Sequence, residues 1–285
     1  MPAPAILTID VEDWFHILDH PAAPGPQEWS GLSSRVERGF GTLVEILAAH
    51  GVRATCFFLG WVAERHPGLV RLACEYGHEV ASHGYLHRLA YELSPDAFRA
   101  DAIRSRELLE DQCGRAVRGY RAAGFSLTAQ TPWFYQELVA AGYRWDSSLF
   151  PASRGHGGIS GALAVPHRVD LGGDYIDEVP IAVSRVLGRP LCLYGGGYLR
   201  LFPYAWIRRA ARRLQMQNQP VVFYVHPREV DPGHPRLELG LRRNFKSYVN
   251  LRTTGRKVAA IARDFRPIPV GEYLAVAGLE GKTAP

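Results

Sequence analysis

His83 and His87 bracket the segment HGYLH, directly after the strand-like run HEVAS. Imidazoles at i and i+4 fall on one side of a turn, the spacing at which two nitrogens can reach one divalent metal. A second such pair, His16 and His20, runs into a Pro-rich loop instead of closing a strand, so His83 and His87 are the better ligand candidates. Completing a site of two histidines and one carboxylate, with positions left open for water and substrate, requires an acid. ILTIDVEDWFH offers three, Asp10, Glu12 and Asp13, immediately after strand-type apolar residues. Such acids enter a dry core only if charges or protons offset their desolvation. Either the strand delivers them to its C-terminal mouth, or the segment is an acidic surface loop. A centre of this kind suits hydrolysis, because the metal lowers the pKa of water and polarises a carbonyl while a remaining carboxylate acts as base.

Two further ionisable groups end strand-like runs in the same manner, Arg121 in VRGYRA and His226 in VVFYVH. Singly, each reads as a satisfied core or surface residue. Together with the acids and the histidine pair they converge on one end of the strands, which a packed barrel does not need for its stability.

Those strands alternate with helices. Val36, Phe40, Leu43, Val44 and Leu47 repeat at helical spacing after a cap at Ser33 or Ser34 and stop at Gly51. ATCFFLG reads as a buried strand, Trp61 to Tyr76 as a helix, HEVASH as the next strand, and Pro95 opens a helix that ends at Gly114. A helix from Thr131, the strand YRWDSSLF, a strand DEVPIAV, a helix from Tyr204 to Leu214, VVFYVH and a helix from Thr254 to Phe265 complete the series. GGGYLR, at Gly195 to Arg200, reads as a plain turn, lacking the Lys-Ser/Thr of a phosphate loop. Strand candidates number six to eight, with no fixed-period repeat and no linker between two cores. The fold expected is α/β, a distorted (β/α) barrel of about seven strands with a C-terminal elaboration. It forms one domain over residues 1–275, followed by a flexible tail over 276–285.

With 285 residues, 47% apolar and 21% charged, the chain can bury a full core. The net charge of +5 comes mostly from basic helices of the second half, read as solvated faces and not as a nucleic-acid site. Cys56, Cys74, Cys113 and Cys192 are widely spaced and read as reduced core thiols. The start MPAPAILTID lacks a signal-peptide pattern, and no apolar run reaches the ~18 residues of a membrane span. The location expected is the cytoplasm, with peripheral association at a membrane left open.

The ordered motifs TIDVEDW, FFLGWVAERHPGLVRLACEYGHEVASHGYLHR, YRAAGFSL, WDSSLFP, VVFYVHPREVD and NFKSYVNL resemble a polysaccharide deacetylase of carbohydrate esterase family 4, over about residues 5 to 275. The branch most resembled is that associated with exosortase-linked exopolysaccharide loci. The resemblance implies removal of N-acetyl groups from an amino-sugar oligosaccharide or polysaccharide, with a divalent metal such as zinc as cofactor. It implies Asp10 as base, His83 and His87 as metal ligands, His226 as general acid, Arg121 holding the base, and Asp146 pairing with His226. The family pattern has adjacent aspartates where this chain reads Asp10-Val11-Glu12-Asp13, so Glu12 and Asp13 both stand as the carboxylate ligand, with strand alternation favouring Glu12. Ala123 replaces the proline usual in the third motif, which bears on the shape of the groove. Trp14, Trp145 and Tyr198 are candidates to stack on sugar. The alternatives are an allantoinase-like hydrolase of another C–N bond and a non-catalytic carbohydrate-binding barrel.

Overall fold

Strand β1 (Ala5–Val11) is buried at all seven positions, because it lies between two parallel neighbours and is covered on both faces. The computed structural model describes residues 2–18, 20–153, 157–186 and 188–278. From β1 the sheet runs one way through β2 (Thr55–Phe58), β3 (Glu79–Ser82), β4 (Gly119–Tyr120) and β5 (Trp145–Asp146). It then crosses to β7 (Tyr175–Glu178) and ends at β6 (His167–Asp170), which pairs with β7 antiparallel. On the other side of β1 lies β10 (Val221–Val225), pairing Ala5 with Val221 through Ile9 with Val225. The eight strands form an open barrel with edges at β10 and β6, and a separate hairpin joins β8 (Ser184–Val186) to β9 (Arg189–Leu191).

The helices are α1 (Val36–Ala49), α2 (Gly60–Arg65), α3 (Pro67–Glu75), α4 (Pro95–Cys113), α5 (Phe134–Ala140), α6 (Gly196–Leu201), α7 (Tyr204–Met216), α8 (Gly240–Tyr248), α9 (Leu251–Phe265) and α10 (Val270–Ala277). Where one helix was expected from Trp61 to Tyr76 there are two. Pro67 has no N–H to donate and pushes the residue before it out of the helical region, and His66 sits at φ −127, ψ 58. The strand read from DEVPIAV ends earlier, at Glu178, ahead of Pro180. GGGYLR is not a plain turn, since α6 begins at Gly196. Neither Ser33 nor Ser34 caps α1; Arg35 occupies the cap position, and the Asp13 carboxylate accepts the Arg35 N–H at 3.1 Å from outside the helix. Residues 276–278 close α10 and its cap, and the remainder of the expected tail, 279–285, lies outside the described residues. The four cysteines carry free thiols.

Candidate active site

The residues that end β1 are aimed by a tight turn. The Glu12 N–H donates to the Asp10 carbonyl at 3.0 Å, which bends the chain and keeps both carboxylates on the cleft side. Asp13, one residue on, turns away. Its carboxylate accepts the Ser34 hydroxyl and the Trp14 N–H (2.8 Å), besides capping α1, where the helix dipole favours negative charge. Asp13 therefore ties β1 to α1 and does not reach the histidines.

Beyond β3, the HGYLH turn hangs on Asp101 of α4, whose carboxylate accepts the N–H of Tyr85 (2.7 Å) and of Leu86 (3.3 Å). The turn ends with His87 at φ +52 and its Nε2 2.7 Å from Glu12 Oε2. His83 Nδ1 lies 2.8 Å from the Arg121 carbonyl; that contact places the proton on Nδ1 and leaves the Nε2 lone pair for a cation. Glu12, His83 and His87 are all buried and present one donor atom each, mutually within 4.8 Å. Among the described residues this is the one group with metal-binding geometry. Burial disfavours the Glu12 anion, yet His87, with His226 and Arg228 behind it, holds the carboxyl well below the usual range. Burial pushes His83 down to about 4, so near neutral pH it is the uncharged base that a metal requires. Two imidazoles and a carboxylate are a donor set that fits a divalent cation.

Asp10 stands beside this group. Arg121, fully buried, donates from Nη1 to Asp10 Oδ1 and to Thr8 Oγ1, each at 2.7 Å. Its other nitrogens donate to the Ser147 carbonyl (3.1 Å) and hydroxyl (2.9 Å), and its guanidinium carbon lies 4.0 Å from the Phe57 ring centroid. A buried guanidinium so completely satisfied is fixed in place, and removing its carboxylate would cost about 3–5 kcal/mol. His226 projects between the two carboxylates, its Nε2 3.8 Å from Asp10 Oδ2 and 3.6 Å from Glu12 Oε1. α1 presses on the turn after it: a Cβ on Gly39 would meet the Pro227 carbonyl at 2.3 Å, and Arg35 grips Asp231 through two bonds of 2.8 and 2.9 Å.

Asp146 is not the partner of His226. It is wholly buried, accepts from Ser148 (N–H at 2.9 Å, hydroxyl at 2.7 Å), and neighbours Glu178 of β7; burial raises the pKa of both carboxyls, that of Glu178 well above its ordinary value. Glu229, three residues after His226, places Oε1 3.4 Å from the His226 Nδ1 and is itself paired with buried Arg200 of α6. Burial lowers the proton affinity of His226, but Glu229, then Glu12 and Asp10, reverse that and raise its pKa above the ordinary value. Arg200 and the imidazolium bring Glu229 down to about 2 against its burial. An acid three residues after His226 was visible in HPREVD; that both would share a 3-10 turn (Pro227–Val230) was not.

Of the aromatic candidates, Tyr198 lines the cleft. Trp14 lies outside it, donating Nε1 to the Ser33 carbonyl at 3.0 Å and stacking on His234. Trp145 is at the other end of the barrel, its ring filling the space above Gly119, where a Cβ would stand 1.9 Å away. His16 does reach the cleft wall. Its Nδ1 accepts the Asp13 N–H at 2.9 Å, and its ring centroid is 5.8 Å from that of His87, though it is not among the grouped donors. His20 sits in the loop beyond and accepts the Ala22 N–H. The cleft, about 400 Å³, has a polar floor of Asp10, Glu12, His83, His87 and His226 and apolar walls that include Phe125, Leu191 and Tyr224.

An open barrel of mostly parallel strands, with ionisable groups that follow or end β1, β3, β4 and β10 meeting at its C-terminal mouth, defines a (β/α)-barrel architecture. Residues 35–144 match the family Polysaccharide deacetylase, and residues 147–275 match a domain of unknown function, DUF3473. A peptidoglycan-N-acetylglucosamine deacetylase of Bacillus cereus is 32% identical over 92 residues, 32% of this chain and 34% of that protein, so the chain spans about a third of that relative's length. A crystal structure from Mycobacterium smegmatis assigned as a polysaccharide deacetylase superposes with a TM-score of 0.68 at 20% identity, covering 100% of this chain and 92% of that one. A family 4 carbohydrate esterase from Streptomyces lividans superposes with a TM-score of 0.50 at 14% identity, covering 94% and 91%. Residues 35–144 thus match the polysaccharide deacetylase family, and the fold resembles that of family 4 carbohydrate esterases.

Proposed function

We propose that the chain hydrolyses N-acetyl groups on amino-sugar units of an exopolysaccharide or its precursor. The observation that carries this reading is a single one: the Arg121-held Asp10 and the Glu229-backed His226 flank the Glu12, His83 and His87 group inside one cleft. Those three residues would hold a divalent cation, zinc by the chemistry of its donors, which when bound acidifies water and polarises the acetyl carbonyl. Asp10 takes the proton of the attacking water at Oδ2, since Oδ1 is committed to Arg121. Arg121 fixes the orientation of that carboxylate. His226 Nε2, lying 3.8 Å from Asp10 Oδ2, delivers a proton to the departing amine. Tyr198, Phe125 and Tyr224 offer ring faces to the sugar.

The β1–β10 pairing supports treating residues 1–275 as one catalytic unit, because the ladder joins the part preceding the deacetylase match to the DUF3473 part. No helix among the described residues is long and apolar enough to cross a membrane. The test is acetate release from N-acetylglucosamine oligomers, with and without chelator, with allantoin as a second substrate. Acetate release that stops on chelation and returns with zinc is expected. Asp10→Asn should lose roughly 10²–10⁴-fold in turnover while retaining the cation. Turnover of allantoin alone would select the other C–N hydrolase, and sugar binding without turnover a non-catalytic barrel.

A further inference from the structure

Helix α8 buries none of its residues. Leu241 and Phe245, one turn apart on the same face, are 91% and 58% exposed, and water gains nothing from that display. The helix is nonetheless anchored at its far end. Arg200 of α6 donates to the carbonyls of Lys246 (2.7 Å) and Ser247 (3.1 Å), and a Cβ on Gly197 would stand 2.9 Å from the Lys246 carbonyl oxygen. Along α6 and into α7, Tyr198 stacks on Phe202 and Phe202 on Trp206, with ring centroids 6.2 Å apart at each step. Trp206 is 63% exposed, and Leu201 beside it is exposed as well. Of these side chains Tyr198 lines the cleft, together with Arg243 and Lys246 of α8.

Helices α7 and α8 carry four and three basic residues (Arg208, Arg209, Arg212 and Arg213; Arg242, Arg243 and Lys246), Arg200 of α6 is buried against Glu229, and none of the three helices contains a carboxylate. Of the acids packed against them, Asp264 is engaged by Arg263, Arg208 and Tyr204, and Glu238 lines a hollow beside Phe245. A second copy of the chain would bring like charges against like. A nucleic acid would take up the charge but has no use for Leu201 and Leu241. Cations surrounding exposed Trp, Phe and Leu match a bilayer interface, where rings and aliphatic chains enter the headgroup region while arginine and lysine meet anionic lipid.

We infer that α6, α8 and the start of α7 dock the protein on an anionic lipid surface, with the cleft at the edge of the contact. This does not depend on the reaction assigned to the cleft. The probe is co-sedimentation of the full chain with vesicles of phosphatidylcholine, alone or mixed with phosphatidylglycerol. Binding to the mixed vesicles only, weakened by salt, is expected. Joint Trp206→Ser, Leu241→Ser and Phe245→Ser should weaken it at least about tenfold with the circular dichroism and melting curve unchanged. Arg209→Gln and Arg242→Gln should each weaken it about fivefold. Absence of binding to the mixed vesicles, wild-type binding by the triple variant, or sedimentation velocity showing that the same substitutions dissolve a dimer would overturn the inference.

Discussion

The two mouths of the barrel both hold histidine, carboxylate and arginine, yet they differ in what those groups face. At the N-terminal end a cavity of about 550 Å³, comparable in size to the cleft, is lined by His78, Glu79, Arg118, Arg144 and Asp177. There the Glu79 carboxylate accepts the Thr55 hydroxyl (2.6 Å) and the Gly271 N–H (3.0 Å), and His78 Nδ1 accepts the Ala54 N–H (3.1 Å). These bonds tie β2, β3 and α10 together, and the arginines lie exposed around them. At the C-terminal end the buried groups face one another across a gap, with Glu12, His83 and His87 donors gathered and His226 between two carboxylates. Cavity size does not separate a functional end from a structural one. Buried polar groups that turn toward each other, and not toward the backbone, do.

The largest effect should come from exchanging histidines between the ends. His83→Ala or His87→Ala is expected to abolish binding of a divalent cation, read by metal analysis, and to lower turnover by roughly 10³-fold or more as Lewis-acid stabilisation disappears. His78→Ala should leave both unchanged; loss of the cation there would erase the distinction. A smaller effect separates the two acids that could serve His226. Glu229→Gln should lower kcat by about ten- to a hundredfold with KM little altered, and Glu229→Asp should recover part of it. Asp146→Asn, on a carboxyl turned toward Glu178, should leave kcat near wild type, and the reverse ranking would return the role to Asp146.

The smallest effect concerns pH. Burial, with Asp146 beside it, raises the Glu178 carboxyl well above its ordinary 4.5, so the native state keeps a proton that the unfolded chain releases. That contribution is fully present below the unfolded value and is lost as pH rises through the native one. Glu178→Gln has nothing to titrate. Between about pH 5 and pH 8 its urea midpoint should fall less than that of wild type, and parallel curves would show that the pair holds no proton.

Much of the C-terminal mouth was legible because an apolar run that stops at an ionisable residue marks a strand end, as at Asp10, His83, Arg121 and His226. Glu12 and Asp13 could not be separated by alternation alone, since the tight turn at Asp10 decides which of them faces the cleft. Trp145 was read onto the site because it adjoins Asp146, but β5 has only two residues, and its first lies at the entry side of the sheet. Glu229 was passed over because a 3-10 turn, not a strand, brings it under His226. The short helices α6 and α8 fall where glycines and basic residues blur any periodicity.

The pairing of β1 with β10 also governs how the chain acquires its shape. Thr8 and the Phe223 carbonyl that its hydroxyl meets are 215 positions apart, so β1 lacks one neighbour until most of the polypeptide has left the ribosome. During that interval a strand buried at every position in the finished barrel has one open edge, a surface to which other chains can add. Closing a connection of this length places the chain among the slow, high-contact-order folders, and a chaperone that shields β1 would act on the same strand that later carries Asp10.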